Sequence, residues 1–578
     1  FARNHNLLNT IVLQNQRIMK KTLFRLGMGM LLLSAFVSCQ KLGPLTADYF
    51  TVNPNPLEVK AGKVSGVITA NFPEKYFAER ALIEVTPVLK YPGGEALSTP
   101  STYQGSKVAG NGETIQYKAG GTVTQNFSFD YVPEMANSTL WLRFKATMKD
   151  KEVEIPEIQI AVGCLATSTL ADASIVTPAY AAANFMRDTV NLTEASIMFK
   201  IQNADAKCTS DVKDLVNKAT KAAKCNKKVV NGIEVVAAAS PDGGVELNEK
   251  LAARRQKNTE SVLKNQKNKA PVDAKYVAQD WEGLLALVQN AKVDDKDMII
   301  RILNNVQDPA AREAEIKKLS AAYKELADSV LPKLRKSDIV LSVTHLGKSD
   351  EQIMATAKNA PDSLNVEELL YAAAMACKAG NKEDAAAITA ANATKNATDW
   401  RTTNNLGATK FAQGDMAAAA ANVGTSVNNG GSEKPETNFN LALLALNNNQ
   451  PDQAKNYLNK ATGVENLGEA QGVMYIENGD YDKAVQAFGD KASNNAALAQ
   501  MLVGNNEKAV SILQSLSEKN AKTYYLLAIC GARSADDTAV IRNLQEAVKL
   551  DATLGTRAAS DIEFAKYWTV ADFQAIAK

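Results

Sequence analysis

The sequence predicts a multidomain chain: an N-terminal β-sandwich, an α/β domain carrying a helical insertion, and a C-terminal α-solenoid. Three observations carry this. The 578 residues exceed what one hydrophobic core organises, so the chain must divide. Short runs alternating apolar with polar residues fill the N-terminal part, and strand-then-helix patterns follow them. From about Asn365 the composition shifts to Ala, Leu and Asn with a period of about 34 residues, the mark of a helical repeat array.

The first residues predict a compartment. Residues 1–18 read as translated upstream sequence, and Met19 opens a signal peptide over residues 19–38. Lys20, Lys21 and Arg25 form its positive region. The apolar run Leu26–Val37 is too short to span a bilayer, which takes about 20 residues. Its end, Ala35-Phe36-Val37-Ser38-Cys39, resembles a lipobox, with Phe36 where Leu is usual. That resemblance implies Cys39 as the lipid-modified first residue of the mature protein. Ordinary cleavage with Cys39 merely nearby is the plainer alternative. Residues 39–48 would be a polar tether, and with no other long apolar run, membrane contact is expected through the lipid only.

Basic and acidic residues nearly balance, 65 against 63, so no nucleic-acid partner is expected. His5 and His345 are the only histidines. With His5 upstream of the mature chain, His-based metal sites and Ser–His or Cys–His catalysis are disfavoured. No metal or cofactor is expected. Cys208 and Cys225 flank a helix capped by Ser210 or Asp211, which would hold their Cα atoms roughly 25 Å apart, beyond disulfide reach. Cys164, Cys208, Cys225, Cys377 and Cys530 are therefore read as mostly buried small apolar residues.

Each domain follows from local pattern. Over residues 49–165, runs such as FTVNPNPLEV, KVSGVITANF and TLWLRFKATM alternate and are separated by Asn, Pro and Gly, predicting an immunoglobulin-like sandwich. Trp141 and Phe144 are expected in its core. Ser174–Phe185 reads as a weakly structured linker opening the second domain, 174–346. There, strands at Ala195–Ile201, Ile233–Ala239, Ala274–Ala278 and Ile339–Val343 alternate with helices. A helical insertion occupies 280–334, with Asp308-Pro309 starting one of its helices.

The stretch Ile233–Leu263 is the most informative. A strand runs into a turn built on Ser240, Pro241, Asp242, Gly243 and Gly244, then a helix with Leu247, Leu251 and Val262 on one face. Steps of four from Leu251 reach Arg255 and Thr259, which puts a guanidinium on a packing face. Arg is seldom buried unpaired. Arg255 therefore either snorkels or pairs structurally, or it binds an anion at the mouth of the unit.

Asn248, Leu251, Ala252, Arg255 and Leu263 resemble the pattern of the OmpA-like C-terminal domain, a peptidoglycan-associating module of bacterial envelope proteins. In that family the Arg and an Asp at the strand end hold the diaminopimelate of the wall peptide. The resemblance implies a peptidoglycan site at Arg255, Asn248, Ser240 and Asp242. Ser240 stands at the family's Asp position, with Asp242 two residues later. Gln256 stands where Ala is usual. The insertion, with Trp281 and the ending Pro332-Lys333-Leu334-Arg335, resembles one branch of the family.

After a linker, 347–364, the repeats occupy 365–578. Gly472, Tyr475, Gly479, Tyr481, Ala484 and Phe488 resemble the tetratricopeptide pattern. Partial copies occur at Gly380 and Ala385, at Gly407, Gly414 and Ala419, at Ala454, Tyr457 and Ala461, and at Gly504 and Ala509. A closing helix is predicted at Ala558–Trp568. The alternative is an Ala-rich bundle without repeat geometry.

No GxSxG, HExxH, P-loop or metal-spaced cluster occurs, so no enzyme is expected. Asp280 and Glu282 read as a cap or a solvated face. The expected function is a lipid-anchored, outer-membrane, periplasm-facing scaffold. It would link the membrane to peptidoglycan and bind envelope proteins through its repeats. An accessory part of a secretion or surface-assembly machine, without peptidoglycan binding, is the alternative.

Overall fold

The computed structural model describes residues 45–149 and 151–578. They divide into two compact units, one of residues 45–179 with Glu433–Lys578, the other Tyr180–Ser432. The upstream segment, the signal peptide and Cys39 lie outside the described residues.

In the first unit the strands are β1 (Phe50–Asn53), β2 (Leu57–Lys60), β3 (Lys63–Phe72), β4 (Ala81–Tyr91), β5 (Gly94–Leu97), β6 (Ser101–Gly105), β7 (Glu113–Ile115), β8 (Gly121–Asp130), β9 (Thr139–Met148), β10 (Lys151–Val153), β11 (Ile158–Val162) and β12 (Cys164–Leu165). In one sheet, β3 pairs antiparallel with β1, β2 and β8, and β12 joins β2 in parallel. In the other, β4 and β9 pair along nearly their whole length and the remaining strands attach to them or, for β7, to β6. Phe72, Phe77, Phe127, Phe129, Leu140 and Leu142 belong to one buried core.

Strand period two decides which residues of β9 enter that core. Leu140 and Leu142 are fully buried, and Phe144 packs against the core. Trp141 points to the other face, half-buried, with Lys90 Nζ 4.6 Å from its ring centre. The expectation of a core Trp141 is corrected on that ground.

In the second unit β13 (Thr189–Met198), β14 (Lys228–Ala238), β15 (Val272–Val277) and β16 (Lys336–His345) form a sheet of order β13-β16-β14-β15. β14 and β15 are parallel, and β16 runs antiparallel between β13 and β14. Helix α1 (Ser210–Ala223) and helix α2 (Val245–Asn265) cross one face, burying Ile197, Leu215, Val235, Leu263 and Ile339. Thr209 caps α1, its Oγ1 accepting from Val212 N at 3.3 Å, in place of the expected Ser210 or Asp211. The insertion forms short helices, Trp281–Asn290, Lys296–Asn305, Pro309–Lys318 and Ser320–Glu325. It has an apolar cluster of its own around Leu284, Val288, Ile299 and Leu326. Asp308 caps the helix that Pro309 begins.

Helical hairpins follow. The second unit holds Val366–Lys378 with Lys382–Lys395, and Trp400–Ala412 with Met416–Ser426. The first unit holds Pro435–Asn447 with Pro451–Leu458, Leu467–Glu477 with Tyr481–Phe488, Asn494–Leu502 with Asn506–Ser515, and Ala521–Ser534 with Asp537–Leu550. Gly414 and Gly479 turn the chain between paired helices at φ 82° and 73°, a region costly for residues with a Cβ. At Gly472 a Cβ would stand 2.4 Å from the Phe488 ring, so the missing side chain sets how closely that pair crosses. The expected closing helix is broken: Thr553–Ser560 is helical, and Asp561 then caps a 3-10 segment, Ile562–Tyr567.

All five described cysteines are free. Cys164 and Cys530 are buried, Cys208 and Cys225 partly so, while Cys377 is exposed. Cys377 lies off the Leu369, Ala372 and Ala376 stripe that its helix buries, which corrects the expectation of a mostly buried set.

The stretch expected as a weakly structured linker, Ser174–Phe185, and the residues just before it are fastened by side chains. In the first unit Asn440 brackets Ala179, its Nδ2 donating to the carbonyl and its Oδ1 accepting the N–H, both at 2.8 Å. Asn495 brackets Asp172 at 2.8 and 2.9 Å, and Asn466 Nδ2 donates to the Thr177 carbonyl at 3.3 Å. In the second unit Asn405 brackets Ala181 at 2.9 and 2.7 Å, and Phe185 stacks on Tyr371 with ring centres 4.5 Å apart.

Candidate functional site

The strand–turn–helix stretch begins with β14, whose Val235, Ala237 and Ala238 are buried. Gly243 then takes φ 125°, where a side chain would be strained. Asn248, in the first turns of α2, ties this loop down: Nδ2 donates to the Ser240 carbonyl at 3.1 Å and to the Gly243 carbonyl at 3.3 Å. Gln279 Nε2 also donates to the Gly243 carbonyl, at 2.9 Å, and Glu313 Oε1 accepts the Gly243 N–H at 2.9 Å.

The buried face of α2 is Asn248, Leu251, Ala252, Arg255, Thr259, Val262 and Leu263. Leu247, expected on it, is 51% exposed. Steps of four advance about 400° around a helix, so the row from Leu247 drifts about 40° per step. Its C-terminal members face the sheet and its first member does not.

Arg255 is 1% exposed. Its Nε donates to the Asn203 carbonyl at 3.0 Å, Nη1 to Ala238 at 2.8 Å and Nη2 to Lys200 at 3.2 Å. The guanidinium lies over the Phe199 ring, 4.9 Å from its centre. All three of its nitrogens are thus spent on the end of β14 and on the loop after β13. Burial, and then the neighbouring Arg335, push its pKa down to about 10, with Asp242 opposing, so it stays charged at neutral pH. Of the two readings the sequence leaves open, the geometry matches the structural one, with backbone carbonyls in place of a carboxylate.

Another guanidinium holds the acid turn. Arg335 Nε donates to Ser240 Oγ at 3.1 Å, and Nη2 to Asp242 Oδ2 at 3.1 Å. Asp242 Oδ1 is buried and has no hydrogen-bond partner. An apolar recess lined by Trp281, Leu284, Ile316 and Tyr323 adjoins Pro241 and Asp242. The predicted residues Ser240, Asp242, Asn248 and Arg255 are thus gathered in one place. Ser240 and Asp242 share Arg335, Asn248 shapes the loop, and Arg255 is sealed beneath it. The role of Arg335 is not legible locally, because it stands at the far end of the insertion, where only the ending Pro332-Lys333-Leu334-Arg335 marks it.

The bracketing asparagines lie outside the predicted site. Their signal is the recurrence of Asn in the first helices of the hairpins, at Asn405, Asn440 and Asn495, all buried. Among the described residues no group of three or more His, Cys, Asp or Glu could hold a metal ion, and no helix is long and apolar enough to cross a membrane.

These features define a multidomain chain with a strand-rich N-terminal region and a C-terminal array of helical hairpins. No family model matches the chain, and no curated protein matches it. Among solved structures it is matched by a tetratricopeptide repeat protein from Parabacteroides merdae. Identity is 15%, covering 35% of this chain and 85% of that chain, with a TM-score of 0.28.

Proposed function

We propose that this chain is a cell-envelope scaffold, lipid-anchored at Cys39 and facing the periplasm, whose helical hairpins hold polypeptide. The observation that carries the reading is the Asn440 bracket on Ala179, repeated by Asn495 on Asp172. Each carboxamide satisfies one residue's N–H and C=O together, as a neighbouring strand would. Photo-crosslinkers placed on the outer helices of the hairpins should trap the same few envelope proteins in intact cells. A crosslinking pattern no different from that of a secreted control protein would remove the scaffold reading. Palmitate label on wild type that is lost in Cys39→Ala is expected for the anchor.

The geometry of Arg255 favours the form of this reading without peptidoglycan binding. The Asn248 and Arg255 pattern resembles the OmpA-like family and supports a wall link. Gripping a carboxylate, however, would require Arg255 to give up hydrogen bonds to carbonyls, each worth about 1.5–3 kcal/mol for a charged donor. Purified protein is expected to stay in the supernatant when isolated sacculi are sedimented. Co-sedimentation abolished by Arg255→Ala in a folded protein would restore the wall-linking form.

A further inference from the structure

We infer that the hairpin helices 435–534 form a binding site for polypeptide, read through its backbone, and that Asp172–Ala179, which carries a 3-10 turn at Ala173–Ile175, is the resident ligand, competing in cis with a partner segment. This deepens the scaffold reading and rests on it only for the existence of a partner.

The segment runs opposite to the order of the hairpins. Ala179 meets Asn440 in the helix Pro435–Asn447, and Thr177 meets Asn466 at the start of the next hairpin. Asp172 meets Asn495 in the helix Asn494–Leu502. The carboxamides touch main-chain atoms, so they are indifferent to the side chain they bracket as long as it is small enough to sit there. Side-chain information enters at few points. The Asp172 carboxylate meets Lys522 Nζ at 2.7 Å, while Ala173, Val176 and Ala179 are buried.

The helices are built to be occupied. Asn440 is 2% exposed and Asn495 1%. With Asp172–Ala179 in place, each carboxamide is closed off from water and its two hydrogen-bonding ends are taken by one residue's backbone. A loose surface tether has no need of such residues, whereas a peptide site does. The ligand class follows: a segment with an acidic residue at the position Asn495 brackets, to meet Lys522, a single turn after it, and a small residue such as Ala at the position Asn440 brackets. A partner presenting that chemistry gains the site only by displacing Asp172–Ala179, so the cis segment sets the threshold for binding.

The test uses the full chain and a labelled synthetic peptide, ADASIVTPA, the sequence of residues 171–179. A variant with residues 172–179 replaced by an equal-length Gly-Ser run should bind it about tenfold tighter, or more, than wild type does. Asn440→Leu with Asn495→Leu in that variant should abolish binding. Equal binding to wild type and the replaced variant, or none to a replaced variant that keeps its helical circular dichroism and melting, would overturn the inference. Should the replaced variant fail to fold, hydrogen exchange in wild type decides: excess peptide should speed exchange of the Asp172 and Ala179 amides, and unchanged rates would overturn it. Peptide binding with no crosslinked partner in cells would sink the scaffold reading alone. Crosslinked partners with no peptide binding would sink the groove alone.

Discussion

Arg335 lies against Asp242 with Nη2 3.1 Å from Oδ2, and its Nε reaches Ser240 Oγ at 3.1 Å. The side chains are 11% and 15% exposed. The end of the insertion is thereby fastened to the turn that follows β14.

Because Asp242 Oδ1 already has no partner, losing Arg335 would leave a nearly buried carboxylate unpaired. Arg335→Ala should lower stability by about 3 kcal/mol, and Arg335→Ala with Asp242→Asn should recover part of it. Urea unfolding of the single and double variants measures this. Additive losses would show that the pair is not coupled.

Arg255→Lys keeps the charge but cannot reach three carbonyls in three directions. It should destabilise by roughly 2 kcal/mol, and amides of the loop around Lys200 and Asn203 should exchange faster. A variant as stable as wild type would show that the buried fork is not structural.

Glu477 provides a pH dependence. Burial pushes its carboxyl up to about 8, and its Oε2 has no hydrogen-bond partner. The folded state therefore keeps a proton that the unfolded state releases near the ordinary carboxyl value of 4.5. Stability from this group is complete below that value and falls as pH rises towards 8, then levels off. Glu477→Gln should flatten the fall in melting temperature between about pH 5 and 8. A slope identical to wild type would exclude Glu477 as its source.

Gly472→Ala tests the closeness of one helix crossing. The added Cβ would meet the Phe488 ring at 2.4 Å, and Phe488 is 5% exposed. A loss of about 1–3 kcal/mol is expected from overpacking. Gly424→Ala, with nothing within 4 Å of the added atom, should be neutral or slightly stabilising in its helix.

Much of the fold was legible because local pattern carries it. Alternation marked the sandwich strands, and the sites of Gly472, Gly479, Ala484 and Phe488 marked a helical hairpin. At single positions the structure differs: Trp141 follows strand period two outward, and Leu247 falls off the buried face by helical drift. The site was legible in part. Arg255 and Thr259 fall on the packing face by period, and Asn248 enters only through the OmpA-like pattern, but a packing face does not say what a guanidinium will meet there.

The sequence by itself determined several of the residues that turn inward: Arg255 in α2, Gly472 and Ala484 in one hairpin, Phe144 in β9. Those assignments depend on periods of two and 3.6 residues, which act between near neighbours along the chain. The tertiary structure alone decided the partners. It gave Arg255 to the carbonyls of Lys200, Asn203 and Ala238, gave the acid turn to Arg335, and laid Asp172–Ala179 under Asn495 and Asn440. A buried polar group must find a complement, and which of the available complements it takes depends on how distant segments pack, information that no local period contains.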